Sequence, residues 1–167
     1  MHTVFVGCDP GASGYYCLLA PSINQVGFLP NSASYTAIKA WFERIEANYK
    51  IAVVMIEDVH SLGNMSAKSN FSFGRNVEKV HAIPSALQIG IELVQPKKWQ
   101  KFVGIKSKKW PKGTSTAVRS KHMKEAVAEI CERLYPKVTI RGPKGGLQDG
   151  KSDALMIAHY ASQTYKV

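Results

Sequence analysis

Cysteine is scarce in this chain. Cys8, Cys17 and Cys131 are only three in number and share no paired spacing. That excludes a disulfide framework and a cysteine-built zinc site, and a reducing compartment is expected. Long hydrophobic runs are missing as well. No apolar stretch approaches the length of a membrane span, so no membrane association is expected. The first residues enter a strand-like run at once, so neither a signal peptide nor an Arg/Ser-rich transit segment is expected. Internal repeats and low-complexity tails are absent. What remains is 167 residues, 45% hydrophobic and 20% charged. Such a chain can bury a real core as one domain, spanning 1–167.

Acids are the other shortage. Twelve Asp and Glu stand against 22 Lys and Arg, for a net charge of +10. The excess is regional. Between Gln95 and Lys144 there are fourteen bases and three acids, while the rest of the chain carries eight bases and nine acids. A solubilising surface would intersperse both signs. A block of one sign fits a face that meets a polyanion, with nucleic acid the foremost candidate. An anionic membrane surface fits less well, because the basic stretch has no long amphipathic helix with a large apolar face.

Three short strands are expected first, over Thr3–Cys8, Gly14–Ala20 and Gln25–Leu29, joined as hairpins. Ile38, Trp41, Phe42 and Ile45 recur at helical spacing and predict a helix over Tyr35–Tyr49. Ile51–Ile56 is a continuous apolar run, as in a central strand buried on both faces. A long helix is expected from Ser66 to about Ile89, kinked by Pro84. Ile91–Val94 reads as a fifth strand. Pro96 opens a short helix to Val103. Gly104–Thr116 reads as a basic loop, Ala117–Leu134 as a helix, Lys137–Gly146 as irregular, and Asp149–Tyr165 as a last helix. The pattern predicts an α/β domain with a mixed five-stranded sheet flanked by helices.

Against the shortage of acids, their placement is informative. Residues 7–14 read "GCDPGASG", so Asp9 sits where an apolar strand meets a Gly/Pro turn. A turn alone accounts for Pro10, Gly11 and Gly14, and for Asp9 only if Asp9 merely caps it. "VVMIEDVH" ends the buried strand on Glu57, with Asp58 as a solvated neighbour. In "LQDGKSDALMIAHYA", Asp149 and Asp153 are four apart and share one helix face. Asp149 alone reads equally well as a helix N-cap. Three separate elements nonetheless offer a carboxylate beside an apolar run. In open α/β sheets the reactive crevice lies beyond the strand ends. Converging carboxylates raise one another's pKa unless a cation intervenes. Hard oxygen ligands suit Mg²⁺, or Mn²⁺ in its place. Two such ions can serve the attacking and leaving oxygens of a phosphodiester. Asp9, Glu57, Asp149 and Asp153 are therefore the candidate catalytic and metal-ligating set.

Taken in order, "VGCDPGASG", "VVMIEDVH" with the helix to Gly74, and "DGKSDALMIAHYA" resemble the three acidic motifs of the RuvC family of Holliday-junction resolvases. The resemblance covers nearly the whole chain. "SFGRNVEKVHAIPSALQIGIELVQPKKWQKFVG" and "RSKHMKEAV" fall where the family has its helix, strand and short basic helix and the start of its next helix. It implies the RNase H-like fold, a homodimer meeting around Ser69–Val80, and two Mg²⁺ ions per site. It also implies symmetrical nicking of four-way DNA junctions, the work of a crossover junction endodeoxyribonuclease in recombination and repair. The implied setting is the cytoplasm of a bacterium or a phage-infected host. Two departures stand out. Bacterial members commonly carry a second acid or a His three before the last Asp, and position 150 here is Gly. Asp153 is thus the firmer carry-over and Asp149 the weaker. The loop "GIKSKKWPKGTSTA" also looks longer than in bacterial members.

DNA contacts are assigned on charge and exposure. Lys97, Lys98 and Lys101 share the short helix. Lys106, Lys108, Lys109 and Lys112 surround Trp110, and Arg119, Lys121 and Lys124 begin the next helix. Mobile lysines fix phosphates without reading bases. Trp110 is read either as a loop anchor or as a ring packed on a base or sugar, and Trp99 as core. Phe71 and Phe73 point to different sides of their helix, so one can be core and the other a wedge at the unpaired junction centre. In the family an aromatic near this helix start has that role. Arg75, a basic residue on the same helix, is also counted among the DNA contacts. His60, His81, His122 and His159 are scattered and read as structural, except that His60 lies near Glu57.

Other readings remain. A nuclease on RNA:DNA hybrids or a general branched-DNA nickase would use the same acids. A non-catalytic DNA-binding module would explain the basic block but not the acids. "DPGASG" also resembles the phosphate turn of sugar-kinase and actin-like proteins, but those need two lobes and a second Gly-rich motif.

Overall fold

The structure is a computed structural model, and it describes residues 1–60, 66–106 and 108–166. Five strands form one sheet: β1 His2–Cys8, β2 Tyr15–Ala20, β3 Gln25–Pro30, β4 Tyr49–Glu57 and β5 Ile91–Val94. Five α-helices accompany them: α1 Tyr35–Asn48, α2 Ala67–Ala86, α3 Pro96–Phe102, α4 Thr116–Leu134 and α5 Asp149–Thr164. The strand order is β3-β2-β1-β4-β5. The first three strands form the expected antiparallel meander, and β4 and β5 add in parallel through helical crossovers.

Period-2 alternation along β1 builds two cores. Val4, Val6 and Cys8 face α1 and α2, together with Ile38, Phe42, Val54 and Ile56. Phe5 faces the other way, into a core with Val53, Met55, Trp99, Val127 and the apolar stripe Ala154–Ala158 of α5. Gly7 shares that second face. A Cβ there would lie 2.2 Å from the carbonyl oxygen of Ala154 and 2.3 Å from the amide nitrogen of Ala158. Only glycine lets α5 come so near to the central strand.

Helix starts follow local chemistry. Ser34, Ser66 and Ser115 each cap a helix by accepting an amide N–H, from Ala37, Ser69 and Val118 respectively. The expected boundaries hold to within a few residues. β4 begins two residues earlier than its apolar run and takes in Glu57. Pro84 sits in the last turn of α2 rather than at a mid-helix kink, and the helix stops at Ala86. Proline's missing N–H costs least where the helix is about to end. The basic loop between α3 and α4 is non-helical as expected, with Ser107 outside the described residues. Among the described residues no helix is long and apolar enough to cross a membrane.

Candidate active site

The strand register fixes two of the four carboxylates. β1 and β4 run in parallel with Gly7 opposite Met55 and Cys8 opposite Ile56. Carried one residue past the end of β1, that register brings Asp9 level with Glu57, the last residue of β4. Both continue the alternation of Gly7 and Met55, so both belong to the face that α5 covers. Helix α5 starts at this same edge. A Cβ on Gly150 would lie 2.3 Å from the carbonyl oxygen of Ser13, in the β1–β2 turn. That contact holds the first turn of α5, with Asp149 and Asp153, against the end of β1. It also gives a physical reason for the missing acid at 150: no side chain fits there.

Asp9 does cap its own turn, as the simpler reading required. The Gly11 amide donates to its Oδ1 at 2.9 Å. Its other oxygen has no protein donor among the described residues. Buried Asn31 holds the turn from outside, its side-chain amide donating to the carbonyl of Asp9. Lys79 of α2 donates in turn to the carbonyls of Asn31 and Ala33.

The four acids are half-buried and sense one another. Burial raises the Asp9 carboxyl, as does the charge of Asp149; the Gly11 N–H and Lys124 act in the opposite direction. Glu57 is pushed up to about 7, by burial first and then by Asp9, against a lowering hydrogen bond from Trp99. Asp153 is raised well above the carboxylate range by burial, then by Asp9, Glu57 and Asp149, with Lys124 opposing. Asp153 makes no hydrogen bond or ion pair among the described residues. Asp149 is the first residue of α5, whose N-cap is Gln148, so it is not itself the cap. Its Oδ2 is 2.6 Å from Lys124 Nζ. The charge on Lys124 is favoured by Asp149, Asp153 and Asp9.

The donor set suits a hard divalent cation. It is all carboxylate oxygen, mutually repelling and half-open to solvent, and among the described residues the one cation beside it is the ammonium of Lys124. As placed, the side chains do not close into a coordination shell: among the described residues no three His, Cys, Asp or Glu stand in ligand geometry. Asp58 stays outside the group and lies 3.7 Å from His60.

The basic residues divide among several surfaces. Lys97 and Lys101 line a cavity of about 580 Å³ with Ile105, Lys106 and Met123. A contiguous cavity of about 320 Å³ adds Lys108, Trp110, Arg119 and His122. Together they form a basic trough between α3, the loop and α4. Lys98 faces away, into a pocket with Glu92, Tyr160 and Lys166 beside edge strand β5. Lys121 lies with Lys124 and Asp149 on the acid side of α4. Lys109 and Lys112 are exposed. Trp110 is half-buried, with its ring edge-on to His122 at 5.2 Å and the Lys108 ammonium 4.6 Å above it. On α2, Phe71 is 70% exposed and Phe73 half-buried, so the two do divide as their spacing requires. Arg75 reaches over the Phe71 ring at 6.0 Å.

Three residues carry more than their sequence context suggested. Asn31 gave no signal, and Lys124 read only as one of the bases that open its helix, not as a partner of Asp149. Trp99 read as core, which it is, but its indole N–H donates to Glu57 Oε1 at 2.8 Å.

A mixed 3-2-1-4-5 sheet with helices on both faces is the RNase H-like fold. Within that fold the chain is similar to the resolvase RuvC. The structure of T. thermophilus RuvC in complex with Holliday junction substrate superposes with a TM-score of 0.58 at 14% identity, covering 98% of this chain and 97% of the other. A second Thermus thermophilus RuvC structure gives 0.55 at 18% identity, with 96% of each chain covered. The yeast mitochondrial Holliday junction resolvase Ydc2 matches at 0.44 and 16% identity, too low to add weight, with 92% of this chain and 75% of that one covered. No protein-family model and no curated relative matches the chain.

Proposed function

We propose that this chain is a metal-dependent DNA endonuclease that resolves four-way junctions by paired nicks. The observation that carries the reading is the edge at which β1, β4 and α5 meet. Asp9, Glu57 and Asp153 come from three elements far apart in sequence, yet each raises the Asp153 carboxyl or is raised with it. Buried carboxyls set together either keep their protons or are neutralised by a cation, and a divalent ion is the counter-charge this reading supplies. Mg²⁺ or Mn²⁺ would be held by Asp9, Glu57 and Asp153, with Asp149 joining when it releases Lys124. Bound there, the ions supply positive charge to the phosphodiester as it is attacked.

The other residues bind and orient. Lys97, Lys101, Lys106, Lys108 and Arg119 line the trough and suit phosphates of a DNA arm, with Lys109 and Lys112 exposed beside it. Lys98 and Lys121, on neighbouring faces, extend the positive field. Phe71, exposed beside Arg75, is fit to insert at the open centre of a junction, and Phe73 supports it. A junction has approximate two-fold symmetry, and its resolution needs two matched cuts. A homodimer through α2 would supply two sites. Helix α2 supports this reading, since it is 20 residues long and buries only Val80 and Pro84.

The test compares a four-way junction, an RNA:DNA hybrid and linear duplex, each with and without Mg²⁺, on arms labelled individually. Two symmetrical nicks on the junction are expected, with light scattering reporting a dimer. Preference for the hybrid would make the chain an RNase H-type nuclease. A strict monomer making single nicks would leave a general branched-DNA nickase. Binding without any cut would leave a DNA-binding module.

A further inference from the structure

Trp99 is 1% exposed, and packing explains its burial but not the direction of its N–H. Indole has one donor and no acceptor. Here that donor goes to the Oε1 of Glu57 at 2.8 Å. Glu57 has no other hydrogen-bond or ion-pair partner among the described residues. The arrangement follows from the register. Glu57 pairs with Val94 at the end of β5, and the amide of Asp58 donates to the carbonyl of Val94 at 2.8 Å. Pro96 then opens α3 two residues later. The first turn of α3 therefore starts level with Glu57 and swings Trp99 beneath it.

The last torsion of a glutamate is broad and two-fold. Pinning Oε1 removes that freedom and leaves Oε2 as the oxygen without a protein donor. We propose that Trp99 is a positioning residue, holding the Glu57 carboxylate in the orientation in which Oε2 is presented to a divalent cation. This rests on the reading of Glu57 as a metal ligand. The alternative is a core-filling ring whose N–H takes the nearest acceptor.

The two differ in metal affinity. Partners that orient a ligand typically change affinity or activity by about 10–100-fold when removed. Mn²⁺ binding to the DNA-free protein is measured from the free-ion electron paramagnetic resonance signal, for the wild type, Glu57→Gln and Trp99→Phe. Trp99→Phe keeps most of the packing and loses the donor. It is expected to weaken Mn²⁺ binding by roughly tenfold, to leave junction affinity in Ca²⁺ unchanged, and to regain cleavage at high Mg²⁺. A filler would not show that rescue.

A second measurement needs no substitution at Trp99. In wild-type protein labelled with ¹⁵N-tryptophan, the Trp99 indole resonance is assigned by elimination with Trp41→Phe and Trp110→Phe. It should move on addition of Mg²⁺. If the wild type binds Mn²⁺, Glu57→Gln does not, and Trp99→Phe matches the wild type with an unmoved indole signal, the positioning role is refuted and the nuclease reading stands. If the wild type binds no metal and cuts nothing, both fall together.

Discussion

Gly7→Ala is the sharpest test of how the fold builds this site. The added methyl would sit 2.2 Å from the Ala154 carbonyl oxygen and 2.3 Å from the Ala158 amide nitrogen. Both are backbone atoms of one helix, so no side-chain rotation can relieve the clash. Ordinary van der Waals contact begins at 3.4 Å, so β1 and α5 would have to part by more than about 1 Å over that turn. Overpacking of this kind costs about 1–3 kcal/mol, occasionally more. For a domain of this size each kcal/mol lowers Tm by roughly 2–4 °C, so a fall of about 2–12 °C is expected. The separation also moves Asp153 away from Asp9, and a misplacement of about 1 Å can cost a hundredfold in rate. Thermal melting and Mg²⁺-dependent junction cleavage measure the two effects. Gly74→Ala is the control: a Cβ there meets nothing within 4 Å, and in a helix interior alanine should add up to about 1 kcal/mol. If Gly7→Ala melts with the wild type and cuts as fast, the close approach does not hold the site together.

Three further outcomes are expected. Asp9→Asn, Glu57→Gln and Asp153→Asn should each abolish cleavage while keeping junction binding, measured by gel shift; Asp149→Ala should be milder, because Asp149 is engaged by Lys124. The metal-free protein should lose stability as pH rises. Raised carboxyls hold protons in the folded state that the unfolded chain has released, so the loss sets in above the ordinary carboxylate pKa and, for Glu57, levels off above about 7. Glu57 alone accounts for something on the order of 3 kcal/mol, and saturating Mg²⁺ should remove most of the fall in denaturant melts; stability that climbs over this range would contradict the raised carboxyls. Replacing Lys106, Lys108 and Lys109 together with Ala should reduce the slope of log affinity against log salt by up to about 3, and an unchanged slope would take the loop off the DNA.

Much of the fold was legible because it rests on periodicity. The apolar run Ile51–Ile56 announced a central strand, and the spacing of Ile38, Trp41, Phe42 and Ile45 announced α1; all four of the latter are buried. Asp9 and Glu57 were legible as strand-ending acids, and their shared rung follows from a parallel register that sequence alone does not state. The partners that shape the site were not legible. Trp99 looks like any core tryptophan until one asks where its single donor goes. Lys124 is one base among many in a basic block, and only the fold brings it to Asp149. Gly150 read as the loss of an acid, whereas contact with the β1–β2 turn excludes any side chain. The lysines of α3 read as one group on composition, yet a seven-residue helix turns Lys98 away from Lys97 and Lys101.

The close seat of α5 on β1 also bears on how such a protein is made. The meander, α1 and β4 are synthesised first and can assemble on their own local contacts, bringing Asp9 and Glu57 side by side. Asp153 arrives only with residues 149–164, nearly a hundred positions after Glu57 in the chain. For a nuclease of the proposed kind, a nascent or prematurely ended chain would be harmless to its host's DNA. On that reading the site would be completed only when α5 docks, and the docking depends on glycine at position 7.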